Sequence, residues 1–337
     1  MLSHLLATLF DVPAEVLVSS TRLSILSVFI IGALWSLMNT LTFIGILTAL
    51  ILALIYRFML PKRDPSQIDG ILGSKAVMFG HRGGALDAPE NTLSAIRVAK
   101  KHQAYGVEID LSFTKDNIAI TFHDDDLDRT TNGKGPLLDS TWEVVKNLDA
   151  SVNHMYSDLF KNEKVPTIDE SVREALDLGL KIIIDVKDYD DRAVDYILSL
   201  YDKYPSLKNE AIVCSFYPQL VYKVRSKRSE IVTALIWRRN FVAYYDVEGK
   251  KPRFQNSPFR QFIAEILDPI LEWSLHNFLW HLAGVSAVSI HKDHISKDYV
   301  DFWKARNMRV LSWTPNNPVE KEFLMHLNVS VITDTLV

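Results

Sequence analysis

An α/β barrel of eight parallel strands, tied to a membrane by an N-terminal apolar helix, is the fold class this sequence predicts. Three observations point to it. After Pro65, short apolar runs alternate with polar segments of helical pattern, as in a parallel sheet covered by helices. Nine such runs are present, and two lie too close together for a helical crossover, which leaves eight for a barrel of ordinary size. Before Pro65, the stretch from Leu23 to Tyr56 has no charged side chain and exceeds the ~20 apolar residues that cross a bilayer.

The anchor comes first in the chain. Residues 1–64 read as an N-terminal segment with an apolar run, 23–60, in which one tilted helix lies within Leu41 to Leu60 and the residues near Leu23 to Met38 continue it or lie at the interface; a shallow hairpin turning at Asn39 and Thr40 is the alternative. The run is too long and starts too late for a cleaved signal peptide. Arg57, Lys62 and Arg63 after it outnumber Arg22 before it, a bias of a few charges toward a cytoplasmic domain that leaves the membrane side open. The sequon Asn328-Val329-Ser330 abuts a predicted strand, where a glycan would fit badly.

Residues 65–337 read as the barrel domain. Its strands are expected at Val77–His81, Gly106–Leu111, Ile118–His123, Lys181–Val186, Ile212–Phe216, Val232–Trp237, Ala287–His291, Arg309–Thr314 and Ser330–Thr333. Helical patterns at Thr92–His102, Ile168–Leu178, Asp191–Tyr204 and Lys297–Arg306 separate them. The second and third strands must form a hairpin; a two-residue turn at Asp116-Asn117 would set Asp110 opposite His123, with Glu108 on the same face. Insertions are expected at about 125–167 and 238–285.

Between His81 and Asp124 the chain gathers two histidines, an arginine and the paired acids Glu108 and Asp110, each at or near a strand end. These are the materials of metal-assisted phosphate chemistry. Strand ends elsewhere carry Asp185 with Lys187, Ser215, Trp313 and Asp334. A formal net charge of −4 argues against a nucleic-acid partner, and a single cysteine, Cys214, excludes an intrachain disulfide and a multi-cysteine zinc site.

The strings HRGGALDAPENT (81–92), VEIDLSFTKD (107–116), HDDDLDRTTNGKG (123–135), DVK, SF, WTPN and ITD together resemble the glycerophosphodiester phosphodiesterase family, and the anchor and the aromatic insertion resemble its membrane-anchored animal members. The resemblance spans roughly residues 76–334. It implies a TIM barrel of the phospholipase C-like phosphodiesterase type, residing in the endoplasmic reticulum or plasma membrane. His81 and His123 are then the acid/base pair, Glu108, Asp110 and Asp185 the ligands of Mg²⁺ or Ca²⁺, and Arg82 and Lys187 the phosphate-binding cations. Glu90, Asn91 and Trp313 are weaker candidates for the substrate pocket. The implied substrates are glycerophosphodiesters of the glycerophosphoinositol or N-acyl glycerophosphoethanolamine kind, giving glycerol 3-phosphate and an alcohol. Lysophospholipase D activity on lysolipids, or an inactive membrane scaffold, are the alternatives; protein partners stay open. The family more often has glutamate where Asp185 stands and valine where Pro315 stands.

The residue types suit that chemistry. A phosphodiester is anionic and has a poor leaving group, so a hard cation on oxygen ligands, donors to the phosphate oxygens and a pair of near-neutral bases each answer one difficulty. The Asp124–Asp128 run reads as a solvated loop in which Asp124 orients His123, and Arg129 to Gly133 as a wall of the site. Within the second insertion, Phe259–Leu282 is aromatic and apolar. A second membrane crossing there would separate Asp185 from Trp313, which one barrel must contain, so the segment is expected to be an amphipathic lid or membrane-docking element, or else packed on the barrel.

Overall fold

The computed structural model describes residues 14–61 and 65–337, with side chains from Ser27 onward. The chain divides after Phe58 into two units. Among the described residues, the first contains one helix, α1 (Ala14–Phe58). Its stretch Ser27–Phe58, 32 residues, is long and apolar enough to cross a membrane. The helix passes unbroken through Asn39 and Thr40, so the hairpin alternative does not form. Thr40 Oγ1 donates to the Ser36 carbonyl at 2.9 Å and Thr42 Oγ1 to the Met38 carbonyl at 2.8 Å, so the hydroxyls are satisfied within the helix.

The second unit begins with α2 (Pro65–Leu72) and then builds the barrel. Its strands are β1 (Met78–Gly80), β2 (Gly106–Phe113), β3 (Ala119–Thr121), β4 (Lys181–Val186), β5 (Ala211–Ser215), β6 (Val232–Trp237), β7 (Ala287–His291), β8 (Arg309–Trp313) and β9 (Ser330–Thr333). The order β1-β9-β8-β7-β6-β5-β4-β2 closes through a β1–β2 pairing, and these eight strands are parallel. Helices α3 (Leu93–Lys101), α4 (Ile168–Asp177), α5 (Asp191–Lys203), α6 (Pro218–Lys227), α7 (Pro258–Ser274), α8 (Lys297–Lys304) and α9 (Pro318–His326) fall between them. Several start on side-chain caps that the sequence supplies: Thr92 for α3, Thr167 with Glu170 as a capping box for α4, Asp190 for α5 and Ser296 for α8.

Helix α2 closes the base. Ile68, Ile71 and Leu72 are fully buried and join the interior layer of Phe79, Ile183, Ile212 and Leu311. Tyr105 Oη donates to the Ile71 carbonyl at 2.6 Å, and Arg309 Nη1 reaches Asp69 Oδ1 at 2.5 Å. Leu72→Ala is therefore expected to destabilise the domain by about 2–5 kcal/mol, read from the urea midpoint at unchanged m.

β3 is antiparallel and lies outside the closed barrel, as expected, but its register differs by one. Leu111 pairs with Thr121 and Phe113 with Ala119. Thr114 N donates to the Ile118 carbonyl at 3.0 Å, so the loop is Lys115 to Asn117, three residues with Asn117 at φ 63° rather than two. The added residue moves the partner of Asp110 from His123 to Phe122, whose N–H donates to the Asp110 carbonyl at 3.0 Å. His123 lies just past the strand end. Ile120 and Phe122 instead pack on Leu127, Leu137, Val145 and Val165, a small core under the 125–167 insertion.

Candidate active site

The site is built at the C-terminal ends of the strands. Strand β1 ends at Gly80 and turns at once through His81, Arg82 and Gly83, with Arg82 in the left-handed region at φ 54°. Gly83 has φ 85°, and a Cβ there would stand 2.6 Å from Ala95 Cβ, so only glycine fits where the turn packs on α3. The turn aims the Arg82 N–H at Glu108 Oε2, 2.7 Å away, and Arg82 Nη1 at Glu90 Oε1, 2.8 Å away.

Glu108 and Asp110 share the inner face of β2, and Asp110 pairs in register with Asp185 of β4. One carboxylate oxygen from each of the three lies within 4.8 Å of the others, and all three residues are buried. Lys187 Nζ sits 2.8 Å from Asp110 Oδ1 and is in short contact with Asp185 Oδ2. Asn91 Nδ2 donates to Asp110 Oδ2 at 2.7 Å, and Arg82 Nε lies 3.6 Å from the same oxygen.

The electrostatics of this cluster are unbalanced. Burial, with the Asp110 charge added to it, pushes the Glu108 carboxyl well above the usual range, and burial raises Asp185 too. Asp110 goes the other way: burial opposes its ionisation, but Lys187, His123 and Arg82 outweigh that and hold it below the usual range. Two cations thus face three acids, and Asp185 Oδ1 is buried without a hydrogen-bond donor. A hard cation fits this donor set of carboxylate oxygens, and it would relieve both the repulsion and the orphaned oxygen.

Each histidine is held by an aspartate. His81 Nδ1 lies 2.6 Å from Asp334 Oδ1, and His123 Nδ1 lies 2.7 Å from Asp124 Oδ1. With Nδ1–H donating to the carboxylate, each Nε2 is left as the free lone pair; that of His81 is 4.0 Å from Glu108 Oε2. Asp334 is itself fixed by Asn316, which donates to Oδ2 at 2.8 Å and accepts from the Asp334 N–H at 2.9 Å. Asp124 is clamped by Arg129, whose guanidinium also spans to both oxygens of Glu90. Burial and the Lys187 charge push the His123 imidazole below its ordinary value against the pull of Asp110 and Asp124, so its neutral form prevails near neutral pH.

These groups open on one cavity of about 720 Å³. His81, Arg82, Glu108, His123, Asp185, Lys187 and Trp313 line it. Asp110 lies behind them, fully buried. Glu90 and Asn91 are not among its walls; they brace Arg82 and Asp110 from outside. Arg82 and Lys187, expected on phosphate, are turned toward carboxylates in this structure. Part of the lining is aromatic: Phe216 stacks on Phe241 at 4.4 Å and meets Trp313 edge-on at 5.7 Å. Sequence reasoning gave no role to Asn316 or Phe241 and placed Asp334 only at a strand end. The WTPN and ITD strings were the available signal for Asn316 and Asp334. Cys214 lies in the cavity floor, where burial pushes its thiol far up and leaves it no nucleophile.

Known proteins share this arrangement of chain. The sequence is 46% identical over 259 residues to glycerophosphodiester phosphodiesterase 1 of Bos taurus, covering 77% of each chain. It is 42% identical over 260 residues to the Homo sapiens protein of that name, covering 77% of this chain and 78% of that one. The fold is that of an Oleispira antarctica phosphodiesterase solved in complex with the product sn-glycerol-3-phosphate, with TM-score 0.61 at 21% identity over 77% of this chain and 93% of that one. A glycerophosphodiester phosphodiesterase from Agrobacterium tumefaciens superposes with TM-score 0.59 at 17% identity over 77% and 97% of the two chains. The glycerophosphoryl diester phosphodiesterase family matches residues 81–336, which take in β2 to β9, both histidines and the three acids, and the chain belongs to that family of phosphodiester hydrolases.

Proposed function

We propose that this chain, held in a membrane by Ser27–Phe58, hydrolyses glycerophosphodiesters to glycerol 3-phosphate and an alcohol with His81 and His123 as the acid/base pair. The observation that carries the reading is that two aspartate-held histidines and a buried three-carboxylate cluster face one cavity. Glu108, Asp110 and Asp185 would hold a hard cation, Mg²⁺ or Ca²⁺, which when bound would supply Lewis-acid neutralisation of the phosphoryl charge. Arg82 and Lys187 add positive charge at the same wall and stabilise the phosphate oxygens as they gain charge. One neutral imidazole takes at Nε2 a proton from the attacking water as its oxygen bonds to phosphorus, and the protonated partner gives one to the alkoxide released as the P–O bond to the alcohol breaks. Asp334 and Asp124 fix the tautomer and stabilise each imidazolium. Trp313, Phe216 and Phe241 offer the apolar surface on which a glycerol or lipid-derived head group rests.

Purified protein given Mg²⁺ or Ca²⁺ is expected to release glycerol 3-phosphate from glycerophosphoinositol and to lose that activity with EDTA; no product with either cation would sink the reading. A lysolipid run in parallel separates lysophospholipase D activity from glycerophosphodiester hydrolysis. Asp334→Asn is expected to lower kcat roughly 10–100-fold with KM and melting temperature little changed, because it disturbs the tautomer of His81 while preserving shape. A loss confined to KM would argue that Asp334 serves binding instead.

A further inference from the structure

Helix α7 is amphipathic in the reverse sense to a surface helix of a soluble domain. Its outward face carries Phe259, Phe262, Ile266, Leu267, Ile270 and Trp273, with Phe259 74% and Trp273 60% exposed. Apart from the adjacent Leu267, these recur at spacings of three and four along one stripe. Its three acids, Glu265, Asp268 and Glu272, meet the loop of residues 239–244. Asp268 is buried and accepts from the Val242 and Ala243 N–H groups at 2.7 and 3.0 Å, and Glu265 accepts from Tyr244 Oη at 2.8 Å. Ala264, Ser274 and Leu275 complete the buried side. An apolar strip of this length on the outside of a domain is an interaction surface.

The chain itself indicates the occupant. Leu60, two residues along from the end of the Ser27–Phe58 stretch, donates its N–H to the Leu282 carbonyl at 3.0 Å, and Arg225 Nη2 donates to the Pro61 carbonyl at 2.9 Å. Leu282 ends the helical run that α7 begins. Segment 238–286 leaves β6 at the cavity end of the barrel and enters β7 at the base, so α7 descends from the cavity rim toward Leu60 and Pro61 at the start of the second unit. Through Asp268 it holds the loop that places Phe241 in the cavity wall. Trp273, Phe259 and the exposed Arg260 beside the stripe are the residue types that settle at a lipid head-group boundary.

We infer that α7 is a bilayer-docking helix, lying in the lipid interface rather than across it, so that the barrel rests on its side with the cavity rim at the membrane surface. The inference rests on reading Ser27–Phe58 as a membrane span. It predicts that the chain takes phosphodiesters held in lipid in preference to the same head group free in water.

Cys214 is buried, so an introduced cysteine can be labelled selectively. The full chain carrying Ile266→Cys or Lys101→Cys, labelled with an environment-sensitive fluorophore, would be reconstituted into phosphatidylcholine vesicles containing phosphatidylserine. Lys101 ends α3, which links β1 to β2 on the far side of the barrel from α7. The label at position 266 is expected to be quenched by spin-labelled lipid and shielded from aqueous iodide; the label at 101 should behave oppositely. Chain that floats with vesicles while both labels respond alike to iodide overturns the docking. Chain that does not float overturns the span and the docking with it. A label at 266 that is dry, untouched by lipid quencher and dependent on protein concentration assigns the face to a second copy and also overturns the proposal. As a functional readout, Phe262→Ser with Ile266→Ser and Ile270→Ser should lower hydrolysis of a vesicle-held N-acyl glycerophosphoethanolamine roughly tenfold while leaving kcat/KM for water-soluble glycerophosphoinositol unchanged. Equal loss on both substrates counts against the inference.

Discussion

His123→Gln is expected to lower kcat by roughly 10²–10⁴-fold, the range that a general acid or base contributes. Glutamine keeps a polar group near Asp124 but has no lone pair that can take up a proton near neutral pH. The neutral imidazole of His123 is favoured by burial and by Lys187, while Asp110 and Asp124 keep protonation within reach, so the native group can serve in both directions. His81→Gln should fall in the same range. Because both act on one proton inventory, the double variant is expected to be scarcely worse than either single one. Steady-state hydrolysis of glycerophosphoinositol at saturating Mg²⁺, with melting curves alongside, makes the check. A variant that retains wild-type kcat would remove that histidine from the chemistry.

Glu108→Gln is expected to have a comparable effect on rate by another route. The amide oxygen can still accept from the Arg82 N–H, now 2.7 Å from Glu108 Oε2, so the turn after β1 is preserved. What is lost is one negative charge from a cluster that needs it to hold a cation. Wild-type protein should gain about 2.7 kcal/mol of stability at a cation concentration 100 times Kd, and the variant should gain little. In EDTA the order reverses: the variant should melt no lower than wild type, because burial and Asp110 disfavour a charged Glu108 there. Activity and cation-induced stabilisation that both survive Glu108→Gln would remove Glu108 from the ligand set and leave Asp110 and Asp185 to hold the cation.

The nine strands were legible because each is an apolar run bounded by polar helical sequence, and buried parallel strands leave little room for anything else. The hairpin was legible as well, but its register was not: Asp116-Asn117 suits a two-residue turn and also the three-residue loop that formed, and one residue changes every partner. For the site, His81, His123, Glu108, Asp110 and Asp185 announce themselves by type and spacing. The positioning partners do not. Asp334 is one aspartate among many until the fold places it 2.6 Å from an imidazole that lies 253 positions earlier. The apolar character of Phe259–Leu282 was plain in the sequence, but whether its stripe faced the barrel or the outside was decided by Asp268, whose carboxylate is drawn inward by two free amide groups of the neighbouring loop.

The closing seam of the barrel has a bearing on how the enzyme is made. Strand β1 pairs with β9, Met78 beside Val331 and Gly80 beside Thr333, and the His81–Asp334 contact lies directly above that pairing. Contacts so distant along the chain form late, since the intervening loop entropy must be overcome first. During synthesis β1 and the turn that carries His81 leave the ribosome long before β9 does. A nascent chain therefore carries His81 before its Asp334 partner exists, and closure of the barrel over the site comes late in folding. The same seam makes activity a sensitive reporter of assembly: any lesion that keeps β9 from docking silences the enzyme while leaving most of its helices and strands in place.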